Sequence, residues 1–259
     1  MAHYETHPVF EAPDDENVSI WRYMTFSKFV SLMHYSALYF TVANRFDDRW
    51  EGTFPIKNKE NMDERIVSFF EQARSTNAIN CWHQRKCESS TMWKSYATRN
   101  EGVAIKSTFS RLTKCFLEKE STITYKQAVH IGKVKYIDFS TEKCDSTNAY
   151  IPLLFKRDYF IDENEIRAII GGGILDTLFM QGLHGVNVPV DLDILIESIY
   201  VYPVAFAWFF ELVKSIVGNK FDVKRSSIGE VPPKTTNGPP VRAYTVLKKA
   251  GKDWEIVYL

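Results

Sequence analysis

The sequence lacks a net charge, because 32 lysines and arginines balance 32 aspartates and glutamates in its 259 residues. A balanced chain has no bulk electrostatic attraction to nucleic acid or to an anionic membrane. Long apolar runs are absent too, since the most apolar stretch, residues 194–217, is interrupted by Glu197, Pro203, Glu211 and Lys214. We therefore predict no membrane span and no membrane partner.

Cysteine is scarce, with four in the chain, and residues 1–17 are polar and acidic and do not resemble a signal peptide. We therefore expect reduced thiols and a cytoplasmic location. Cys81, His83 and Cys87 follow no familiar zinc-ligand spacing. Two buried or idle thiols and a surface histidine are the favoured interpretation.

Several catalytic motifs are also missing. There is no Gly-x-Ser-x-Gly elbow, so nothing specific supports a serine hydrolase. The glycines at 171–173 are not followed by Lys-Ser or Lys-Thr, and they lack the spacing of a dinucleotide fingerprint. They indicate a bend in the chain and not a phosphate loop.

The segments that are present mix strand and helix patterns without regular alternation. This predicts an α+β fold with a mixed, mostly antiparallel, curved sheet and flanking helices. We expect an N-terminal arm at residues 1–17 and a single α+β domain at 18–228. A proline-containing loop and a C-terminal hairpin are expected at 229–259.

A row of charges marks residues 155–170. Period-two spacing places Glu163, Glu165 and Arg167 on one face of a strand, with Ile166 and Ala168 on the other. Charges that enter a buried strand are costly unless they pair or serve a function. The row is therefore either an ion network that fixes the sheet or the floor of an active site.

A second acidic set lies on a predicted loop and contains Asp47, Asp48 and Glu51. Together with Glu163 and Glu165, it has the oxygen ligands for a divalent cation in a nuclease-like site. The favoured interpretation is a turn whose aspartates bond their own backbone, with Glu51 paired to a nearby arginine, Arg45 or Arg49.

Several short motifs in order resemble the bacterial domain of unknown function 2971 family over roughly residues 18–227. They are Ile20-Trp-Arg-Tyr23, Ala37-Leu-Tyr-Phe40, Asp47-Asp-Arg-Trp-Glu51, Cys81-Trp82, Met92-Trp-Lys-Ser-Tyr-Ala97, Gly102-Val-Ala-Ile105, Phe155-Lys156 and Glu163-x-Glu165-x-Arg167. The chain departs from the family at His83, where a serine is usual. The family name itself implies no activity.

The chain also resembles ADP-ribosyltransferases of the Arg-Ser-Glu type, which have an arginine on the first core strand and a late Glu-x-Glu. Here these are Arg22 and Glu163-x-Glu165. The resemblance implies NAD as substrate, Glu165 as the catalytic carboxylate and Glu163 as its acceptor-side partner. Arg22 would then clamp the pyrophosphate.

The remaining implied NAD contacts are Tyr23, Lys156 and Arg167. Trp93 and Tyr96 are three residues apart on a predicted helix and are therefore neighbours. They are candidates for stacking on a base or nicotinamide ring, although such pairs more often belong to a core.

The leading hypothesis is an ADP-ribosyltransferase-like enzyme that uses NAD to modify a nucleic acid or a protein. Such an enzyme would act as a toxin or phage-defence effector with a regulatory partner protein. Two alternatives stay open. One is a metal-dependent nuclease, and the other is a non-catalytic sensor or interaction domain whose charged row is structural.

Overall fold

The computed structural model describes residues 2–60, 62–116, 127–145, 147–172, 176–177, 179 and 181–229, and the backbone of 245–250 and 253–258. These residues form an α+β fold with a mixed, mostly antiparallel sheet, which confirms the predicted class. None of the described helices is both long enough and apolar enough to traverse a bilayer.

The main sheet has ten strands, and β7 and β8 form a separate parallel pair. The strands before the C-terminal segment are β1 Ala2–Tyr4, β2 Ser19–Thr25, β3 Ala37–Val42, β4 Asn77–Gln84, β5 Gly102–Thr108, β6 Gln127–Lys133, β7 Lys135–Ile137, β8 Phe155–Arg157, β9 Glu165–Gly171, β10 Gly185–Pro189, β11 Ser198–Val201 and β12 Val223–Arg225. The order along the sheet is β1-β6-β9-β4-β2-β5-β11-β12, with β3 joining β4 to β10.

Helices flank this sheet. They are α1 Phe26–Tyr35, α2 Ile56–Lys59, α3 Glu64–Thr76, α4 Ser90–Tyr96 and α5 Phe109–Lys114, followed by Leu192–Leu195 and Ala207–Val217. Side-chain caps account for several starts: the Thr25 hydroxyl accepts from the Lys28 backbone amide, and the Ser89 hydroxyl accepts from that of Met92.

The sheet branches at β4. One edge of β4 pairs with β9 from Asn77 to His83. The other edge pairs with β3 near its start, at Ala78 and Ile79, and with β2 near its end, at His83 and Gln84. Strands β2 and β3 therefore diverge, and a gap opens between them beside the middle of β4.

Strand β9 is buried on both faces. Ile166, Ala168 and Ile170 belong to the main hydrophobic core. Ile169 belongs to a second cluster that also contains Phe10 and Leu153. Because Glu165 and Arg167 alternate with the main-core residues, they lie on the face of β9 shared by Ile169.

The predicted arm is tied to the sheet, because β1 pairs in parallel with β6 and Phe10 is buried. Pro203 suits the first position of a helix and Gly218 the position after its end, which predicts a helix at 203–217. The helix ends before Gly218 as expected, but its predicted start is wrong, since it begins at Ala207. At the C-terminal end, β13 Thr245–Ala250 pairs antiparallel with β14 Asp253–Tyr258. The proline-containing loop at 230–244 lies outside the described residues.

Candidate functional site

A cleft of about 790 Å³ opens where β2 and β3 diverge. Its walls come from β2, α1, β3 and β4, the loop at 46–51 and the segment at 156–165. Arg22, Glu163 and Glu165, which are far apart in sequence, line this same cleft. The branch in the sheet thus creates both the space and the meeting point of these side chains.

The floor of the cleft is built on Arg167, whose side chain is fully buried. Its Nε and Nη2 donate to Glu165 at 3.2 and 3.0 Å. Nη2 also donates to Glu51 at 2.5 Å, and Nη1 donates to the carbonyl oxygen of Leu153 at 2.6 Å. Each nitrogen of the guanidinium therefore has an acceptor, as a buried arginine requires.

Lys156 is the second cation beneath the cleft, and it contacts three carboxylates. Its Nζ lies 2.8 Å from Glu163 Oε2, 3.2 Å from Glu51 Oε1 and 3.4 Å from Glu165 Oε2. We call Glu51, Glu163, Glu165, Lys156 and Arg167 the ionic floor. Three carboxylates and two cations give this group a formal charge of −1.

The electrostatics keep the central groups ionised. Burial alone would raise the pKa of Glu165, but Arg167 and Lys156 outweigh burial and hold that pKa well below its ordinary value of 4.5. Burial also opposes the charge of Lys156, yet Glu165 and Glu51 raise its pKa above the ordinary 10.5. Glu165 is therefore a carboxylate, and Lys156 an ammonium, at neutral pH.

Arg22 approaches the cleft from β2. Its Nη1 donates to the carbonyl oxygen of Cys81 at 2.6 Å, in the stretch of β4 that neither β2 nor β3 pairs. Within the described ranges no carboxylate lies within ion-pair distance of Arg22. Burial lowers the pKa of Arg22, whereas Cys81 and Glu165 raise it, and an arginine stays charged in proteins.

Aromatic side chains form one wall of the cleft. His83 lies between the rings of Tyr23 and Tyr96, at centroid distances of 6.0 and 5.0 Å. The Tyr23 hydroxyl accepts a hydrogen bond from the Ser89 backbone amide at 2.8 Å. Burial raises the pKa of Tyr23 and of Tyr96, so both hydroxyls stay protonated at neutral pH.

Two of the predicted NAD contacts do not line the cleft. Trp93 is fully buried, packs against Tyr23 and Tyr202, and donates its indole N–H to Glu88 at 2.9 Å. The core interpretation therefore applies to Trp93, while Tyr96 does line the cleft. Arg167 lies beneath the carboxylates and holds them in place without reaching the cleft.

Glu163 does not lie on the strand predicted for it. It ends the 3₁₀ segment Asp158–Glu163, and Asn164 in the left-handed conformation, with φ of 42°, separates it from β9. The polar row predicted from alternation is therefore formed on β9 by Glu165 and Arg167 alone. Glu163 projects from the turn before β9 and is joined to Glu165 and Arg167 by its contact with Lys156.

Two carboxylates of the acidic loop, Asp48 and Glu51, are paired with cations of the chain. Asp48 is paired with Arg157 at 3.0 Å and also accepts from the Trp50 backbone amide, as a turn aspartate does. Glu51 is held by Lys156 and Arg167, so its predicted pairing with Arg45 or Arg49 is wrong. In the part of the chain that the structure describes, no group of three acidic, histidine or cysteine side chains is arranged to hold a metal.

Sequence reasoning named two further residues of the site but gave them the wrong surroundings. Glu51 is more than a hundred positions from Arg167, and only the packed fold brings them together. His83 was predicted to lie on the surface, but it is buried. In the cleft it lies directly opposite Glu165 in the β4–β9 register.

No family model, no curated protein and no solved structure matches the chain. The two family resemblances therefore stay predictions, and function has to be argued from the cleft itself.

Proposed function

We propose that the cleft binds NAD and breaks its nicotinamide–ribose bond, as in an ADP-ribosyltransferase-like fold. The ADP-ribose unit would pass to an acceptor in a nucleic acid or a protein. One observation carries the proposal: Arg22, which has no carboxylate partner among the described residues, faces the same cleft as an ionic floor with one carboxylate in excess.

The two charges suit two different parts of NAD, the pyrophosphate and the nicotinamide riboside. A free guanidinium is the preferred side chain for binding a pyrophosphate, because its donors match the phosphate oxygens. The excess negative charge of the ionic floor suits the positive pyridinium ring and the cationic ribose that forms as the bond breaks. A cleft of about 790 Å³ lies within the range that ligands of this size occupy.

Glu165 is the carboxylate proposed to stabilise the ribose cation. A carboxylate has about four acceptor positions. Arg167 uses two of them and Lys156 a third, and a ribose hydroxyl would take the fourth in competition with the Cys81 thiol. The same contacts fix the carboxylate before the substrate binds, so little reorganisation is needed in the transition state.

The proposed site also includes Glu163 and Tyr96, with Tyr23 in the same wall of the cleft. Glu163 lines the cleft and contacts Lys156. Its proposed role is to position the acceptor. Tyr96 is the partly exposed ring of the wall and supports stacking on the nicotinamide. As the biological setting, we propose a cytoplasmic toxin or phage-defence effector that is controlled by a partner protein.

The exchange Arg22→Met tests NAD binding directly. It removes the proposed pyrophosphate clamp, and we expect the affinity for NAD, measured by calorimetry, to fall about 10- to 100-fold. Arg22→Lys retains the charge and a donor for the Cys81 carbonyl, so it should lose less affinity. Arg99→Met, at an exposed arginine outside the cleft, is the matched control. Equal affinities of Arg22→Met and Arg99→Met would contradict the clamp.

A further inference from the structure

His83 lines the cleft, and the proposal so far gives it no role. It is buried, with 4% of its surface exposed, and it contributes to the lining. Its position opposite Glu165, between the rings of Tyr23 and Tyr96, gives it a fixed orientation. The role of such an imidazole depends on which of its two nitrogens carries the proton.

The hydrogen bonds of His83 determine its tautomer. Nδ1 lies 3.0 Å from the carbonyl oxygen of Glu163. A carbonyl only accepts, so Nδ1 must carry the hydrogen. In a neutral imidazole the other nitrogen, Nε2, then holds a lone pair. Nε2 makes no hydrogen bond to any residue that the structure describes, so this lone pair is free to meet a molecule in the cleft.

The surroundings keep the ring neutral. Burial lowers the pKa of His83 from its ordinary value of 6.5, and Lys156 acts in the same direction. Glu165 and Glu163 act in the opposite direction without reversing the effect. The flanking tyrosines carry no charge at neutral pH, because burial raises the pKa of both.

We propose that His83 is the proton acceptor of the site, with Nε2 taking the proton from the O–H or N–H group that attacks the ribose. This inference rests on the proposed function, because it assigns the base of the same reaction. The role of Glu163 is then to position the acceptor, since Lys156 already holds one of its oxygens at 2.8 Å. The acceptor is thereby restricted to a group that has a hydrogen to give, and water is the simplest example.

The step balances as follows. The bond between the ribose carbon and the nicotinamide nitrogen breaks, and its electron pair neutralises the positive ring, which leaves as nicotinamide. A new bond forms from the attacking oxygen or nitrogen to the same carbon. The proton of the attacking group moves to Nε2 and converts His83 to an imidazolium. The nearby carboxylates of Glu163 and Glu165 stabilise that positive charge until the proton passes to solvent.

The exchange His83→Asn separates this role from a structural one. The amide nitrogen of asparagine lies near the position of Nδ1 and retains the donor for the Glu163 carbonyl, whereas Nε2 is lost. With NAD and water as substrates, we expect NAD affinity to change less than about 3-fold and nicotinamide release to fall about 100- to 10,000-fold. Added imidazole should restore part of the rate, because it supplies the missing base.

His130→Asn is the matched control. His130 is also buried, and its Nδ1 lies 2.8 Å from a backbone carbonyl, that of Glu5, but it does not line the cleft. Its exchange should leave nicotinamide release unchanged. The wild-type rate should fall at acidic pH with a midpoint below the ordinary histidine pKa of 6.5, because the pKa of His83 is lowered and protonation removes its lone pair. His83→Asn should not show this fall.

The outcomes distinguish the two proposals. A His83→Asn variant that keeps the wild-type rate and pH profile overturns the base assignment while the proposed function stands. Wild-type protein that neither binds NAD nor releases nicotinamide overturns the proposed function, and the base role with it. If His83→Asn fails to fold, ¹⁵N NMR of the wild-type imidazole decides: a proton on Nε2 overturns the assignment, and a bare Nε2 supports it.

Discussion

Replacing Arg167 by methionine is expected to lower the free energy of unfolding by about 3–5 kcal/mol, because it leaves buried carboxylates without their partner. Arg167 makes three contacts to Glu165 and Glu51, and its side chain is fully buried. Methionine fills similar space but gives neither charge nor donor. Denaturant unfolding followed by circular dichroism measures the loss.

Arg157→Met is the matched control for this prediction. Arg157 also pairs with a carboxylate, Asp48 at 3.0 Å, but 29% of its side chain is exposed to water. Solvent weakens such a pair, so we expect a loss of about 1 kcal/mol or less. If Arg167→Met costs no more than Arg157→Met, then the ionic floor does not depend on Arg167 as its geometry indicates.

Replacing Glu165 by glutamine is expected to reduce nicotinamide release about 100- to 1,000-fold, with a smaller effect on NAD affinity. Glutamine has the shape of glutamate but lacks the negative charge that would face the ribose cation. The loss should therefore appear mainly in kcat, because the charge matters most in the transition state. Steady-state kinetics of nicotinamide release, with thermal melting as a check on folding, measure the effect.

Glu51→Gln provides the comparison for Glu165→Gln. It removes the same charge from the same two cations, Lys156 and Arg167. Both variants should therefore lose similar stability, while the fall in activity should be much larger for Glu165→Gln. Equal losses of activity in the two variants would mean that the rate follows the integrity of the ionic floor and not a particular carboxylate.

The local structure of the chain was largely predictable. Apolar spacing and a cap at Thr25 or Ser27 predict a helix at Phe26–Tyr35, which is where α1 lies with Thr25 as its cap. Alternation places Glu165 and Arg167 on one face and Ile166 on the other, as observed. These predictions succeed because period and capping depend on neighbouring residues. Pro203 misled the prediction of the last helix, since proline also suits a turn before the helix start.

The cleft itself could not be predicted. It exists because β2 and β3 share one edge of β4, and strand pairing between distant segments leaves no mark in local periodicity. For the same reason the contact between Glu51 and Arg167 could not be predicted, because it joins a loop to a strand far along the chain. Sequence spacing could place Trp93 beside Tyr96 but could not say which of the two rings faces the cleft.

Nicotinamide release from NAD by the wild-type protein, measured with and without a metal chelator, tests the central claim most directly. The account predicts release that depends on enzyme concentration and is the same under both conditions, because no step needs a metal. Absence of release would contradict it. Cleavage of a nucleic acid that stops with chelator would instead support the nuclease alternative. If neither activity is found and Glu165→Gln lowers the melting temperature by several degrees, the alternative of a sensor or interaction domain with a structural ionic floor is favoured.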